Sequence, residues 1–253
     1  MRVGRFKIPR GLYNEVQDYD ALRTSIMLPQ SVYNVRLRDF YAGMNGAQLY
    51  GRRDAKAVGA FTYQACIGNN NYDVENGGVA YYFNNAFTNV IQGVPIPGYS
   101  TAKYTTTQLQ SDYIMAGSLG WESTFGLRLG VSGCSTRGLT NEGYYTVPTG
   151  AATPVGAATT NVYSGATVND WRSFVFSAEY VLDDLTVAAE ITQESLYFPQ
   201  EVSNDTKSGG GYLSASYRFT SKLEIGSYFS HYIADLTDRH GDAKQSDANP
   251  NND

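Results

Sequence analysis

Between Trp171 and Tyr232 the side chains alternate strictly in character. Phe174, Phe176, Ala178, Tyr180 and Leu182 occupy one parity and Ser173, Ser177 and Glu179 the other. After Asp183-Asp184 the pattern resumes as Leu185, Val187, Ala189 and Ile191 against Thr186, Ala188, Glu190, Thr192 and Glu194. A third run, Leu213, Ala215, Tyr217 and Phe219, turns at Thr220–Lys222 into Leu223 and Ile225, lapses at Ser227 and returns at Phe229. A period of two puts successive side chains on opposite faces of an extended chain, so these are strands with one apolar and one polar face. The connections at Asp183 and Thr220 are too short for crossovers, so the pairing is antiparallel. The expected fold class is all-β.

Nine such strands are read along the chain: Arg2–Ile8, Ala47–Arg52, Ala57–Ala65, Tyr113–Trp121, Phe125–Val131, Trp171–Leu182, Leu185–Glu194, Tyr212–Phe219 and Leu223–Tyr232. Turns of a few residues follow every second strand. Long polar loops, at about 9–45, 67–112, 135–170 and 195–210, follow the others. Strands of about ten residues with short turns at one end and long loops at the other suit an antiparallel, up-and-down transmembrane β-barrel. Aromatic placement points the same way. Tyr113, Trp121, Phe125, Tyr180, Tyr217, Phe219 and Phe229 fall near strand ends on the apolar face, with Leu127, Leu129, Val187, Ala189 and Ala215 between them, as in the two aromatic girdles of a barrel. Gly78–Phe83 is read as a short strand or helix within the second loop. The loop 135–170 is read as mobile or as carrying a small hairpin.

Composition fits this reading. Charged residues are 17% of the 253, with 21 Tyr and 26 Gly, and no apolar run reaches the eighteen residues of a transmembrane helix. Mean hydropathy is −0.35, which a barrel tolerates because only alternate residues face lipid. The opening MRVGRFKIPRG lacks the apolar stretch of a secretion signal, and nine is an odd count whereas single-chain bacterial barrels use even ones. The chain is therefore expected to be a single, truncated barrel domain over residues 1–253. Cys66 and Cys134 fall on strands separated by one intervening strand, about 10 Å apart at ~4.8 Å per strand, beyond disulfide reach, so both are expected as free thiols.

The segment GRFKIPRGLYNE, followed by Asp18-x-Asp20, a lone Arg23, LPQSVY (Leu28–Tyr33) and GAQLYGRR (Gly46–Arg53), resembles the porin-like outer-membrane proteins of Gram-negative bacteria, near the general-diffusion and phosphate-selective porins. The resemblance is specific over Val3–Arg53 and architectural beyond it. It implies a location in the cell outer membrane, contact with outer-membrane lipid and lipopolysaccharide, a homotrimer, and barrels of about sixteen strands. It also implies passive diffusion of small hydrophilic solutes or ions through a water-filled channel, with no cofactor.

Charge is uneven along the chain. Residues 1–56 hold ten Lys/Arg and five Asp/Glu, and residues 57–253 hold nine and nineteen, which together give the net charge of −5. A basic wall of Arg5, Lys7, Arg23, Arg36, Arg38 and Arg128 facing an acidic wall of Glu179, Glu190, Glu194 and Glu224 would select ions by sign, with small anions preferred. Polar-face positions rich in Gly, Ser, Thr and Ala leave room for water. Glu15, Asp18, Asp20 and Arg23 read as an ion-paired cluster shaping the first loop. Asp73 and Glu75 beside Gly68–Asn71 lack the twelve-residue spacing of a calcium loop, so no metal is expected. Ser230 and His231 are adjacent and point to opposite faces, so they cannot pair as nucleophile and base. No phosphate-cradling glycine loop or basic–aromatic nucleic-acid platform occurs. An enzyme is not expected, and nucleic acid is not an expected partner. The competing reading is a structural or adhesive outer-membrane barrel, or a soluble β-sandwich that binds a partner.

Overall fold

The computed structural model describes residues 1–16, 27–35, 38–70, 72–75, 77–93, 101–148, 159–197 and 206–239. Among them are ten strands: β1 (Arg2–Phe6), β2 (Met44–Asp54), β3 (Ala60–Asn69), β4 (Lys103–Gln110), β5 (Tyr113–Glu122), β6 (Leu127–Pro148), β7 (Thr159–Leu182), β8 (Leu185–Tyr197), β9 (Thr206–Thr220) and β10 (Leu223–Ile233). All pair antiparallel in one sheet of order β1-β2-β3-β5-β6-β7-β8-β9-β10, with β4 added alongside β6. The path runs from β1 to β10, and no pairing joins these two among the described residues. Two helices interrupt the strands, α1 (Arg38–Tyr41) and α2 (Gly78–Gln92).

The short turns are where sequence placed them, between β2 and β3, β5 and β6, β7 and β8, and β9 and β10. At Gly126, φ is +92°, a conformation glycine adopts without steric cost, and a Cβ there would strike the Val181 carbonyl of the next strand. One expectation needs correction and two, the hairpin and the helix alternatives, hold but extend further than read. The loop 135–170 is largely strand: β6 and β7 continue as one long hairpin, with Thr140 paired to Val168 and Thr146 to Asn161. Residues 103–110 form β4, which pairs with that extension through Tyr104–Tyr145 and Leu109–Asn141. Threonine-rich strands with few aliphatics carry a weak periodic signal, which is why both were read as loop.

At Gly78–Phe83 the helix alternative holds and runs on to Gln92, giving α2, a helix of fifteen residues. Val79, Phe83 and Phe87 recur at i, i+4 and i+8 and so share one helical face. Val79 and Phe83 are fully buried and Phe87 packs against the same cluster. Asp39 of α1 accepts a hydrogen bond from the Gly78 N–H at 2.6 Å, and an anion there is favoured by the helix dipole. Asn84 and Thr88 accept from the N–H groups of Thr106 and Tyr104, which locks α2 onto β4.

The two faces of the sheet differ completely. Side chains at Gln48, Cys66, Ala116, Cys134, Ser173 and Glu194 are register neighbours on one face and are buried. Cys66 and Cys134 are free and lie on either side of Ala116 on that face. On the opposite face Leu119, Val131, Phe176 and Ile191 are register neighbours and exposed, Ile191 at 66%. Residues 8–16 and 27–33 cover the buried face. They bond to β3, β6, β7, β8, β9 and β10. Leu12 and Glu15, three residues apart, reach β8 and β3, four strand spacings or ~19 Å apart on a flat sheet, which they can do only if the sheet curls around them. The buried face is therefore concave.

Candidate functional site

The site is the concave face and the first connection folded onto it. Ile8 and Pro9 are buried, and Arg10 is carried with them to 2% exposure. A guanidinium has five N–H donors and none can be left unpaired at low cost when buried. Arg10 donates to Glu194 Oε1 at 2.7 Å, to the Val32 carbonyl at 2.6 Å, to Ser173 Oγ at 3.2 Å and to Thr192 Oγ1 at 3.3 Å. Its plane lies 4.2 Å from the Tyr41 ring centroid, a cation–π contact strengthened by exclusion of water. Arg10 thus ties β7 and β8 to both ends of the described first connection.

One step toward the short turns lies Glu190, 1% exposed. Its Oε1 accepts from the Leu12 N–H at 2.8 Å and from Ser177 Oγ at 2.5 Å. Its Oε2 accepts from the hydroxyls of Tyr33 at 2.6 Å and Tyr212 at 2.8 Å. Four donors satisfy a buried carboxylate to which no cation is bonded among the described residues. Gly11, at φ +59°, makes the approach. A Cβ there would meet both the Glu190 carboxylate and the Tyr33 hydroxyl. Burial and the neighbouring Glu190 hold the Tyr33 phenol well above its ordinary pKa. Burial, then Glu179 and Glu190, push Tyr13 up to about 12. Burial likewise raises Tyr41, against the pull of Arg10. All three phenols therefore keep their protons at neutral pH and act as neutral donors.

At the level of the short turns the concave face carries alternating charges. Glu122, Arg128 and Glu179 are register neighbours. Arg128 contacts Glu179 at 2.7 Å and Glu122 at 3.6 Å, and Arg52 adds a further bond to Glu122. Two cavities flank the turn at Gly11–Glu15. One of about 160 Å³ is polar and charged, lined by Glu15, Gln64, Ser118, Glu122 and Arg128 among others. The other, of about 290 Å³, lies between Tyr13 and the inner face of β8 to β10.

These positions change the predicted site. Arg5 does not face the concave side: it is the register partner of Asn45, opposite in parity to the buried pair Phe6–Met44. The inward arginine of β1 is Arg2, which reaches Gln48 and lies 3.6 Å from Glu15. The apolar parity of Phe6 and Ile8 was taken for the lipid side, whereas both residues are buried on the concave side. Lys7 lies just beyond β1 and is half-buried, and Arg38 is exposed on α1. Arg23 and Arg36, with Asp18 and Asp20, lie outside the described residues. Arg128, Glu179, Glu190 and Glu194 do line the concave face, and Glu224 is the register partner of Arg218. They do not form two opposed walls. Arg128 sits between acids, and Glu194 is paired by Arg10, which sequence reasoning did not single out. The proline before it and its place past β1 gave no periodic signal. The polar, small-residue face is also less open than expected, because residues 8–16, 27–35 and 38–41 occupy much of it. Ser230 meets Ser31 at 2.7 Å on the concave side while His231 is the outward partner of Gly211, as the adjacency required. Among the described residues no cluster of metal ligands occurs.

No family model, curated protein or solved structure matches the chain.

Proposed function

We propose that this sheet is the wall of an outer-membrane β-barrel channel of Gram-negative type. Lipid meets the convex face, and water and small hydrophilic solutes or ions meet the concave one. The observation that carries the reading is the convex face itself. From β3 to β10, across the register rows running from Ala65–Gly117–Gly133–Phe174–Gln193 down to Leu182–Leu185–Tyr217–Ile225, no Asp, Glu, Lys or Arg points outward. Charge returns one row above, at Arg172 and Lys207, and just below, at Asp183 and Asp184. Along β8 the band runs from Gln193 to Leu185. At ~3.4 Å per residue and the ~40° tilt of membrane barrels this is about 20 Å tall, close to the ~25 Å apolar belt of such barrels. Exposed apolar surface of this extent on a protein in water would be an aggregation liability. Aromatics are not confined to the rims of the band, since Phe61, Tyr63 and Phe176 lie within it.

In this reading the first connection narrows the passage, and the charge row of Arg52, Glu122, Arg128 and Glu179 sits where solute passes. A second reading, a structural or adhesive barrel without transport, is favoured by one observation: the described residues of the first connection fill much of the concave face. Planar-bilayer recording on refolded protein separates them. Stable conductance steps support the channel. A folded, membrane-inserted protein with no conductance overturns it in favour of the structural barrel.

A further inference from the structure

The cavity of about 290 Å³ has a lining unlike the rest of the concave face. It lies between Tyr13 of the first connection and the wall residues Thr186, Tyr212, Ser214, Ser216 and Tyr228. Three phenol rings and several hydroxyls converge, and among the described residues none lining it is charged. The neighbouring polar cleft, by contrast, carries Glu15, Glu122 and Arg128. The Tyr212 ring is held in place because its hydroxyl donates to Glu190 at 2.8 Å. Ser214 donates to the Ala188 carbonyl at 3.2 Å, so its oxygen remains an acceptor toward the cavity. Tyr13, with a pKa near 12, is uncharged.

We infer that this cavity is a binding site for a small uncharged hydroxylated ring, a sugar of one or two residues. An anion or a cation would find no counter-charge in the lining and would lose hydration on entry. A purely apolar molecule would bury the acceptor side of the Ser214 hydroxyl without offering it a donor. A pyranose ring satisfies both surfaces, because its C–H face packs on aromatic rings while its equatorial hydroxyls exchange hydrogen bonds with Ser, Thr and Tyr. The volume falls at the lower end of ligand clefts, about 300–1,000 Å³, which sets the size at one or two rings. The inference rests on the concave face being open to water and names the solute class it takes.

The test is saturation-transfer NMR on the full chain, refolded in an amine-oxide detergent with no sugar headgroup. Glucose, maltose and the open-chain polyol sorbitol are the probes. Glucose and maltose are expected to receive saturation, strongest at ring C–H protons, and sorbitol little, since it has the hydroxyls without the ring face. Tyr228→Ala should weaken maltose binding at least tenfold and Tyr228→Phe much less. Equal transfer to sorbitol, no transfer to either sugar, or unaltered binding in Tyr228→Ala overturns the inference. If Tyr228→Ala does not fold, Thr186→Val replaces it, with a several-fold loss expected. Binding is read without conductance, so a conducting protein that ignores sugars defeats this inference alone, and a sugar-binding protein that does not conduct defeats only the transport reading.

Discussion

Replacing Arg10 by Met isolates what holds the first connection inside the sheet. The substitution keeps the unbranched stem and removes the guanidinium. Glu194 is then left as a buried carboxylate, its side chain 7% exposed, and the Val32 carbonyl loses its donor. Breaking a buried ion pair from one side costs about 3–5 kcal/mol. The sheet does not need to unfold to relieve this, because releasing residues 8–33 readmits water to Glu194. The cost therefore falls on docking, and at 1.36 kcal/mol per decade it shifts the docked-to-released ratio by roughly a hundred- to several-thousand-fold. Amide hydrogen exchange reads this at Gly11, Leu12 and Tyr13, whose N–H groups donate to Ser132, Glu190 and Tyr33. Their protection should fall by that factor while amides at the β7–β8 pairing hold. Replacing both partners, Arg10→Met with Glu194→Leu, should recover most of the protection, since an apolar pair of similar volume is often neutral. Unchanged exchange at Leu12 in the single variant would refute the reasoning, as would loss spread evenly over the sheet.

Four further outcomes are expected. Gly11→Ala forces a side chain into positive φ, about 1–2 kcal/mol, and into Glu190, so it should release the same amides with the strands intact. Docking should also weaken with alkali: Tyr13 has its pKa raised when docked, so its contribution is complete below about pH 10 and is lost as pH rises through about 12. Phenolate absorbance should therefore rise together with protease sensitivity, and Tyr13→Phe should remove part of the effect. Arg128→Gln leaves Glu122 and Glu179 without their shared cation and should shift the reversal potential in a salt gradient toward cations, whereas Arg5→Gln, on the outer face, should leave it unchanged. Ile191→Arg places a charge in the middle of the convex band and should hinder insertion by about 2–4 kcal/mol, against the ±0.5 kcal/mol typical of an exposed site in water.

Where hydrophobic alternation was strong, as from Trp171 to Ile225, strand, pairing and facing were all legible, because one face of each strand is apolar. Parity failed at β1, where the apolar residues Phe6 and Ile8 are buried on the concave side rather than turned outward. β4 escaped, and the β6–β7 extension and α2 were legible only as a small hairpin and a short strand or helix, because they pack on one another above the band. There, threonine, asparagine and tyrosine serve equally in strand, helix and loop. The concave site was half legible. Its acids sit on strands of clear parity, but their partners Arg10, Tyr33 and Gly11 come from a connection without periodicity. Contacts up to 199 residues apart in sequence leave no local signature.

The central claim is that the convex face meets lipid and the concave face does not. Spin labels placed singly along β8, in a Cys66→Ser, Cys134→Ser background reconstituted into vesicles, test it directly. Val187, Ala189 and Ile191 point outward, and Thr186, Ala188 and Thr192 point inward. Collision with oxygen, which concentrates in lipid, should be high at the outward three and low at the inward three, and a water-soluble nickel reagent should fail to reach the outward ones. Absence of that alternation, or ready access of the nickel reagent to Val187, Ala189 and Ile191, would contradict the account.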